Sequence, residues 1–253
     1  MARISTRVSA KVSDGETLDA ILGGAIRIAQ PRRGYRFSVE AILLARFATV
    51  KPRDRVLDLG AGCGVVAITL AMLGGVKQVV ALEIQPAIAA LAERNAALNG
   101  LSNLRVICAD LHSPRISGLM PASFDLIVAN PPFHAIRAGR DSPDASRRIA
   151  RGEGAASIAD FARAARRYVR NGGRVAIVFA ALRSAELIAT MRSNGLEPKR
   201  IRFVHPRLEL AASAVLIEAR AGGGAEVMVE PPLVLHDCAG RYTDEARAIL
   251  EAP

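Results

Sequence analysis

The chain has 253 residues, 34 Lys and Arg against 24 Asp and Glu for a formal charge of +10, and is 51% hydrophobic but only 4% aromatic, with no Trp. That length suits one α/β domain with an appendage better than two independent cores, and the core must be aliphatic. Apolar stretches such as 175–182 are far too short to span a membrane and no signal-type segment opens the chain, so a cytoplasmic protein with no membrane partner is expected, its excess charge pointing to a polyanion.

Residues 1–20 show no clear period. Residues 21–30 alternate as a strand that ends at Pro31, and Ser38 caps a helix with apolar positions Ile42, Leu43, Ala45 and Phe47 that stops before Pro52. From Arg55 the pattern changes to alternating strands and helices. Strands are expected over 55–59, 78–83, 104–109, 124–129, 173–179, 200–204 and 214–219, and helices over 66–73, 86–99, 158–169 and 184–194. Such alternation implies βαβ units and a mostly parallel, doubly wound sheet. The loop 206–213 is too short for a helical crossover, so the last strand should run antiparallel to its neighbour. The expected organisation is a short strand/helix extension over 1–52 packed on a catalytic domain over 53–253. Cys63, Cys108 and Cys238 lie far apart without metal-site spacing, so they read as buried, inert thiols and no metal is expected.

The strongest local signal is Val56-Leu-Asp58-Leu-Gly60-Ala61-Gly62-Cys-Gly64, a buried strand running into a glycine-rich turn that opens a helix. Dinucleotide enzymes use a similar turn. Here, however, Asp58 stands just before the glycines, where a carboxylate would attract the cationic groups of S-adenosylmethionine and repel a pyrophosphate. Glu83, ending the next strand, can accept hydrogen bonds from both ribose hydroxyls. Asp110, after the third strand, could meet an adenine amino group or simply sit in a turn.

Asn130-Pro131-Pro132-Phe133 follows the fourth strand, at the carboxyl edge where α/β sheets place their sites. A ring-bound amine is a poor nucleophile because its lone pair is delocalised. The Asn130 side-chain oxygen and the Pro131 carbonyl could each accept one amino N–H and favour pyramidalisation as the methyl arrives. Two prolines hold those acceptors rigidly, and Phe133 offers a face for a base to stack on.

The glycine loop paired with Asn130–Phe133 resembles the N/D-P-P-Y/F amino-methyltransferases, which include adenine-N6, cytosine-N4, guanine-N2 and glutamine-N5 enzymes. Gly23-Gly24, Gln30-Pro31 and the run Gly34-Tyr-Arg36-Phe37-Ser38-Val-Glu40-Ala-Ile-Leu-Leu44 resemble the leading segment of the bacterial tRNA(Val) adenine-N6-methyltransferase family. The segments 148–153, 198–206 and 232–243 are similar to that family too, so the likeness covers roughly 18–250. It implies a class I, Rossmann-like fold with seven strands, one of them antiparallel, and S-adenosylmethionine as methyl donor. The expected cofactor contacts are Asp58, Gly60, Ala61, Gly62, Gly64, Glu83, Ile84, Asp110, Leu111 and Asn130, with Arg36, Phe37 and Ser38 of the leading segment. The implied target is the tRNA(Val) anticodon-loop adenine. Two positions depart from the family's habit: Glu40 stands where Asp is frequent, and Phe133 where Tyr is common. Phe133-His134 is similar instead to guanine-N2 ribosomal RNA enzymes.

Arg137, Arg140, Arg147, Arg148 and Arg151 follow the tetrapeptide in a loop that could grip phosphates. Lys199 and Arg202, beside Arg200 and Arg207, form a further candidate RNA contact, and Arg163, Arg166, Arg167 and Arg170 are spaced to share one helical face. Guanine-N2 methylation of ribosomal RNA and glutamine-N5 methylation of a protein are the alternatives within this chemistry. A nucleotide-binding protein without catalysis is the alternative outside it, opposed by Asn130.

Overall fold

A computed structural model of the chain describes residues 6–7, 15–33, 36–73, 75–132 and 156–252. Phe133, His134 and the arginines at 137, 140, 147, 148 and 151 lie outside the described residues.

The elements are β1 (Thr6–Arg7), β2 (Glu16–Ile21), β3 (Ile26–Pro31), α1 (Val39–Phe47), β4 (Arg55–Leu59), α2 (Val65–Leu73), β5 (Gln78–Glu83), α3 (Pro86–Leu98), β6 (Leu104–Cys108), β7 (Phe124–Ala129), α4 (Ile158–Tyr168), β8 (Val169–Ala180), α5 (Ser184–Ser193), β9 (Leu196–His205), β10 (Ala214–Ala221), β11 (Met228–Val229), β12 (Leu233–Val234) and α6 (Asp244–Glu251). The main sheet has the order β9-β10-β8-β7-β4-β5-β6, with β11 and β12 pairing along the outer side of β9. Strand β10 inserts between β8 and β9 and runs antiparallel to both. The expected seven-stranded, mostly parallel sheet is therefore present, extended by two strands of two residues each.

The central strands are apolar at most positions because both faces are covered. Val56, Val79 and Leu126 point into one core with Ile42 to Leu44 of α1 and Val65 to Ile68 of α2. Leu57, Val80 and Ile127, each one residue on, point to the other face and pack on Phe161 and Ala165 of α4 and Leu187 of α5. The alternation is the pleat itself, successive side chains leaving opposite faces. Among the described residues no helix is long and apolar enough to cross a membrane.

Four expectations are corrected. The strand expected over 21–30 is a hairpin, β2 and β3 pairing antiparallel around a tight turn at Leu22–Gly24; Gly23 and Gly24 take φ of 62° and 92° there, which an alternating pattern cannot announce. Helix α4 stops at Tyr168, so Arg170 belongs to β8 and pairs with Asp125 at 2.6 Å, off the face of Arg163 and Arg167. Strand β8 starts at Val169 and contains a bulge: Phe124 faces Val169, yet Leu126 faces Arg174. Of the three thiols only Cys63 is buried, pushed up to about 12 by that burial, whereas Cys108 and Cys238 are exposed. Cys108 ends β6, the sheet's edge strand, which has a neighbour on one side only.

The extension meets the sheet domain through two asparagines. Asn95 and Asn99, one turn apart on α3, each bond both the N–H and the C=O of a β3 residue, Ala29 and Arg27 respectively, at 2.7–2.9 Å. Four helical residues rise about 6 Å and two strand residues about 6.6 Å. The two amides therefore stand in for a neighbouring strand along β3.

Candidate active site

Strand register lines up the motifs. Leu82 of β5, Leu59 of β4 and Ala129 of β7 are direct neighbours, so the residues that follow them, Glu83, Gly60 and Asn130, form one row across the carboxyl edge. Adjacent strands lie about 4.8 Å apart, which puts the glycine turn between the acid and the asparagine. Cys108 pairs with Glu83, and Asp110 lies two residues further along the same edge.

The turn is held from below and behind. Gly60, Gly62 and Gly64 adopt φ of 70°, 56° and 90°. A Cβ on Gly60 would lie 3.2 Å from the Phe161 ring, so a side chain there would strain the backbone and press on that ring. The amides of Gly60 and Ala61 both donate to the Leu82 carbonyl at 2.9 Å, and that of Gly62 donates to Glu83 Oε2 at 2.9 Å. Buried Asn95 also donates to the Cys63 carbonyl at 2.9 Å, tying the turn to α3 and the hairpin.

These bonds decide what the turn can hold. A pyrophosphate site needs free loop amides aimed at the ligand. Here three consecutive amides are already bonded within the chain, and two carboxylates, Asp58 and Glu83, are 1% and 5% exposed beside the loop. Asp58 accepts only the Ala67 amide, at 3.1 Å, among the described hydrogen bonds. Burial pushes its pKa up to about 7, the Ala67 amide pulling the other way and nearby Glu83 adding to the rise. Glu83 Oε1 accepts the Gln85 amide, leaving each oxygen a further lone pair for a hydroxyl. An acidic turn with hydroxyl acceptors fits a cationic sulfonium nucleoside such as S-adenosylmethionine better than a dinucleotide.

The remaining expected residues divide. Ile84 is 44% exposed beside Glu83, and Leu111 packs on the second core. Asn130 is half-buried, Pro131 buried and Pro132 exposed. Asp110 Oδ1 accepts both the His112 amide and His112 Nδ1, at 2.9 and 2.8 Å, and the amide bond holds its carboxyl below the usual range. Arg36 is directed to the hairpin: it donates to Thr17 and the Pro31 carbonyl and pairs with buried Asp19 at 3.1 Å. The Phe37 amide bonds Gln30 Oε1, and Ser38 makes no side-chain cap. Arg202 is engaged by Glu245, Glu230 and the Pro231 carbonyl, so its charge is matched within the fold.

Sequence reasoning missed three side chains. Phe161 walls the glycine turn, Asn95 anchors it, and His112 bridges Asp110 to Asp160 (Nε2 to Oδ2, 3.3 Å), the capping-box acid at the start of α4. Both carboxylates raise the His112 pKa, Asp110 foremost. The only local signal was the spacing of Ser157 and Asp160 ahead of an apolar run.

The chain is similar to known methyltransferases over most of its length. A tRNA1(Val) (adenine(37)-N6)-methyltransferase of Aeromonas hydrophila is 28% identical over 214 residues, covering 84% of this chain and 87% of the relative. One from Parabacteroides distasonis is 29% identical over 220 residues, covering 85% and 88%. Among solved structures, an Agrobacterium tumefaciens protein titled a predicted O-methyltransferase matches with a TM-score of 0.67 and 24% identity, covering 83% of this chain and 94% of that one. The model of the methyltransferase small domain matches residues 39–193, more than half the chain, and the protein belongs to that family of methyltransferases.

Proposed function

We propose that this enzyme methylates the N6 amine of an adenine in tRNA, the anticodon-loop adenine of tRNA(Val), with S-adenosylmethionine as donor. The observation that supports this most directly is the row Glu83, Gly60, Asn130, which sets two acids and a glycine turn suited to a cationic nucleoside beside an amide acceptor on the next strand. The names of the relatives supply the RNA and the base. The division into an extension over 1–52 and a catalytic unit over 53–253 belongs to the same proposal.

When bound, the cofactor supplies an electrophilic methyl on a positively charged sulfur. Asp58, ionised by that nearby charge, holds the cationic end, and Glu83 accepts the ribose hydroxyls. Ile84 and Leu111 would offer the adenine apolar surface, and Asp110 would be available to its amino group. The Asn130 side-chain oxygen and the Pro131 carbonyl accept the two hydrogens of the target amine, keeping its lone pair out of conjugation and directed at the methyl. Pro131 and Pro132 fix that geometry before substrate arrives. The proton is lost after transfer, so no strong base is required. Phe133 stacks the extruded base; an anticodon-loop base costs little to unstack. The arginines at 137, 140, 147, 148 and 151 grip the flanking phosphates, with Lys199 as a more distant contact.

The test is incubation with labelled S-adenosylmethionine and total RNA from a strain lacking the enzyme, followed by digestion to nucleosides. N6-methyladenosine in valine tRNA is the expected product. N2-methylguanosine in ribosomal RNA would replace this reading.

A further inference from the structure

The opposite, amino edge of the sheet holds a cavity of about 200 Å³ lined by cationic side chains. Lys51 comes from the turn before β4, Arg170 and Arg174 from the start of β8, Lys199 from β9 and Arg220 from the end of β10. Strand β4 is five residues long and the cavity lies under β8 to β10, so it is more than roughly 16 Å from the glycine turn.

The acids nearby do not neutralise it. Arg174 is matched by Asp54 and Arg170 by Asp125, and Glu218 in the wall accepts the Thr49 amide at 2.6 Å. Lys51, Lys199 and Arg220 have no carboxylate within ion-pair distance among the described residues. Lys199 donates only to the carbonyls of residues 224, 225 and 226, and Arg220 to that of Gly172 at 3.2 Å. These groups are also gathered together. The place where a Gly172 Cβ would sit is 3.9 Å from Arg220 Nη2 and 4.0 Å from Arg170 Nη1, and a Gly223 Cβ would meet Lys199 Cε at 3.1 Å and Arg220 Cβ at 3.2 Å. Two glycines thus let like charges approach.

The wall is built by the bulge of β8. Residues 170–173 leave the ladder between Val169 and Arg174, and Gly173 is packed so tightly that a Cβ would lie 2.6 Å from Val169 Cγ2. Bulges re-aim side chains at functional sites, and this one turns Arg170 toward the cavity mouth. Three cations without a carboxylate partner, Lys51, Lys199 and Arg220, around a small concavity are the chemistry of a multiply charged oxyanion, which accepts forked and single donors at once.

We propose that this amino-edge cavity binds a phosphate group through Lys51, Lys199 and Arg220. The phosphate belongs either to the backbone of the RNA substrate or to a free phosphorylated small molecule. The first source rests on the function proposed above; the second does not.

The experiment uses the full chain and the double variant Lys51→Glu/Arg220→Glu, with the pair Arg241→Glu/Arg247→Glu, neither residue lining the cavity, as a control of equal net charge. Inorganic phosphate is titrated calorimetrically against sodium chloride of equal ionic strength. Retention of a tRNA(Val) transcript is measured from 50 to 200 mM salt, and methyl transfer at saturating transcript. Saturable phosphate binding that weakens at least tenfold in the double variant is expected. If the salt slope of RNA binding also falls by about one per substituted residue, beyond the control, with transfer at saturation unchanged, the ligand is the RNA backbone. If RNA binding matches the control while phosphate binding is lost, the ligand is a small molecule. Phosphate binding that is absent, or equal in the wild type and the double variant, overturns the proposal whatever the RNA shows. A wild-type protein that binds phosphate but methylates no tRNA sinks the functional reading and leaves this site standing.

Discussion

At the carboxyl edge of the sheet the buried ionisable groups are the acids Asp58 and Glu83, while at the amino edge the buried acids Asp54 and Glu218 are paired with Arg174 and Arg200, and Lys51, Lys199 and Arg220 gather around a cavity. The same strands connect the two edges, and their direction sorts the charge. In a parallel sheet the connecting helices run back against the strands, so helix N-termini and loop amides collect at the carboxyl edge and helix C-termini at the other. Partial positive charge at the first edge supports anions, as when the first-turn amide Ala67 of α2 donates to Asp58. Partial negative charge at the second supports cations: α4 ends at Tyr168, just before Arg170, and α1 ends at Phe47, just before Lys51. A net charge of +10 therefore hides a polar molecule, acidic where a cationic nucleoside would sit and basic where phosphate would.

The contrast can be broken at either end, and the largest effect is expected at the amino edge. Arg174→Met leaves Asp54 buried without its bidentate partner, and removing one member of such a pair costs about 3–5 kcal/mol. Thermal unfolding should shift down by roughly 10 °C, at 2–4 °C per kcal/mol in a chain of this size, with the cofactor Kd unchanged. A changed Kd would show that the two edges are not independent.

At the carboxyl edge, Asn130→Ala should lower kcat at least 100-fold, about 3 kcal/mol of barrier, while calorimetry shows cofactor binding intact. Lost cofactor affinity with normal turnover at saturation would mean the residue has been given the wrong role. Glu83→Ala removes acceptors for the ribose hydroxyls and the partner of the Gly62 amide. Cofactor Kd should rise ten- to a hundredfold, about 1.5–3 kcal/mol; a rise of less than threefold would contradict it.

The smallest effect is the sharpest in sign. The Asp58 pKa of about 7 stands above the ordinary 3.8, so the free fold prefers the protonated acid. That contribution to stability is complete below pH 4 and lost as pH rises through about 7. A cation bound beside Asp58 favours the ionised form, so its binding expels a proton at pH 6. Cofactor affinity should climb by up to about tenfold per pH unit below 7 and level off above it, with proton release visible in buffers of different ionisation enthalpy. Asp58→Asn should flatten the profile. A flat wild-type profile between pH 5.5 and 8 would show that Asp58 does not face the bound charge.

Much of this molecule was legible before folding. Each central strand is a short apolar run with a sharp end, and Gly60, Glu83 and Asn130 stand at those ends, so chain order alone placed the three motifs on one edge. What the sequence could not reveal was whatever depends on contacts between distant residues. Whether an arginine is free or matched is one example: Arg202 and Lys199 stand three positions apart, yet Arg202 finds Glu245 and Glu230 while Lys199 finds only carbonyls. The fit of Asn95 and Asn99 to β3 is another, since an i, i+4 pair on a helix matches an i, i+2 pair on a strand only once packing has laid them side by side. Local pattern determines which elements form and where they end; the pairing of charges and amides across the fold is decided by tertiary geometry, because a few ångströms separate a matched ion from an open one.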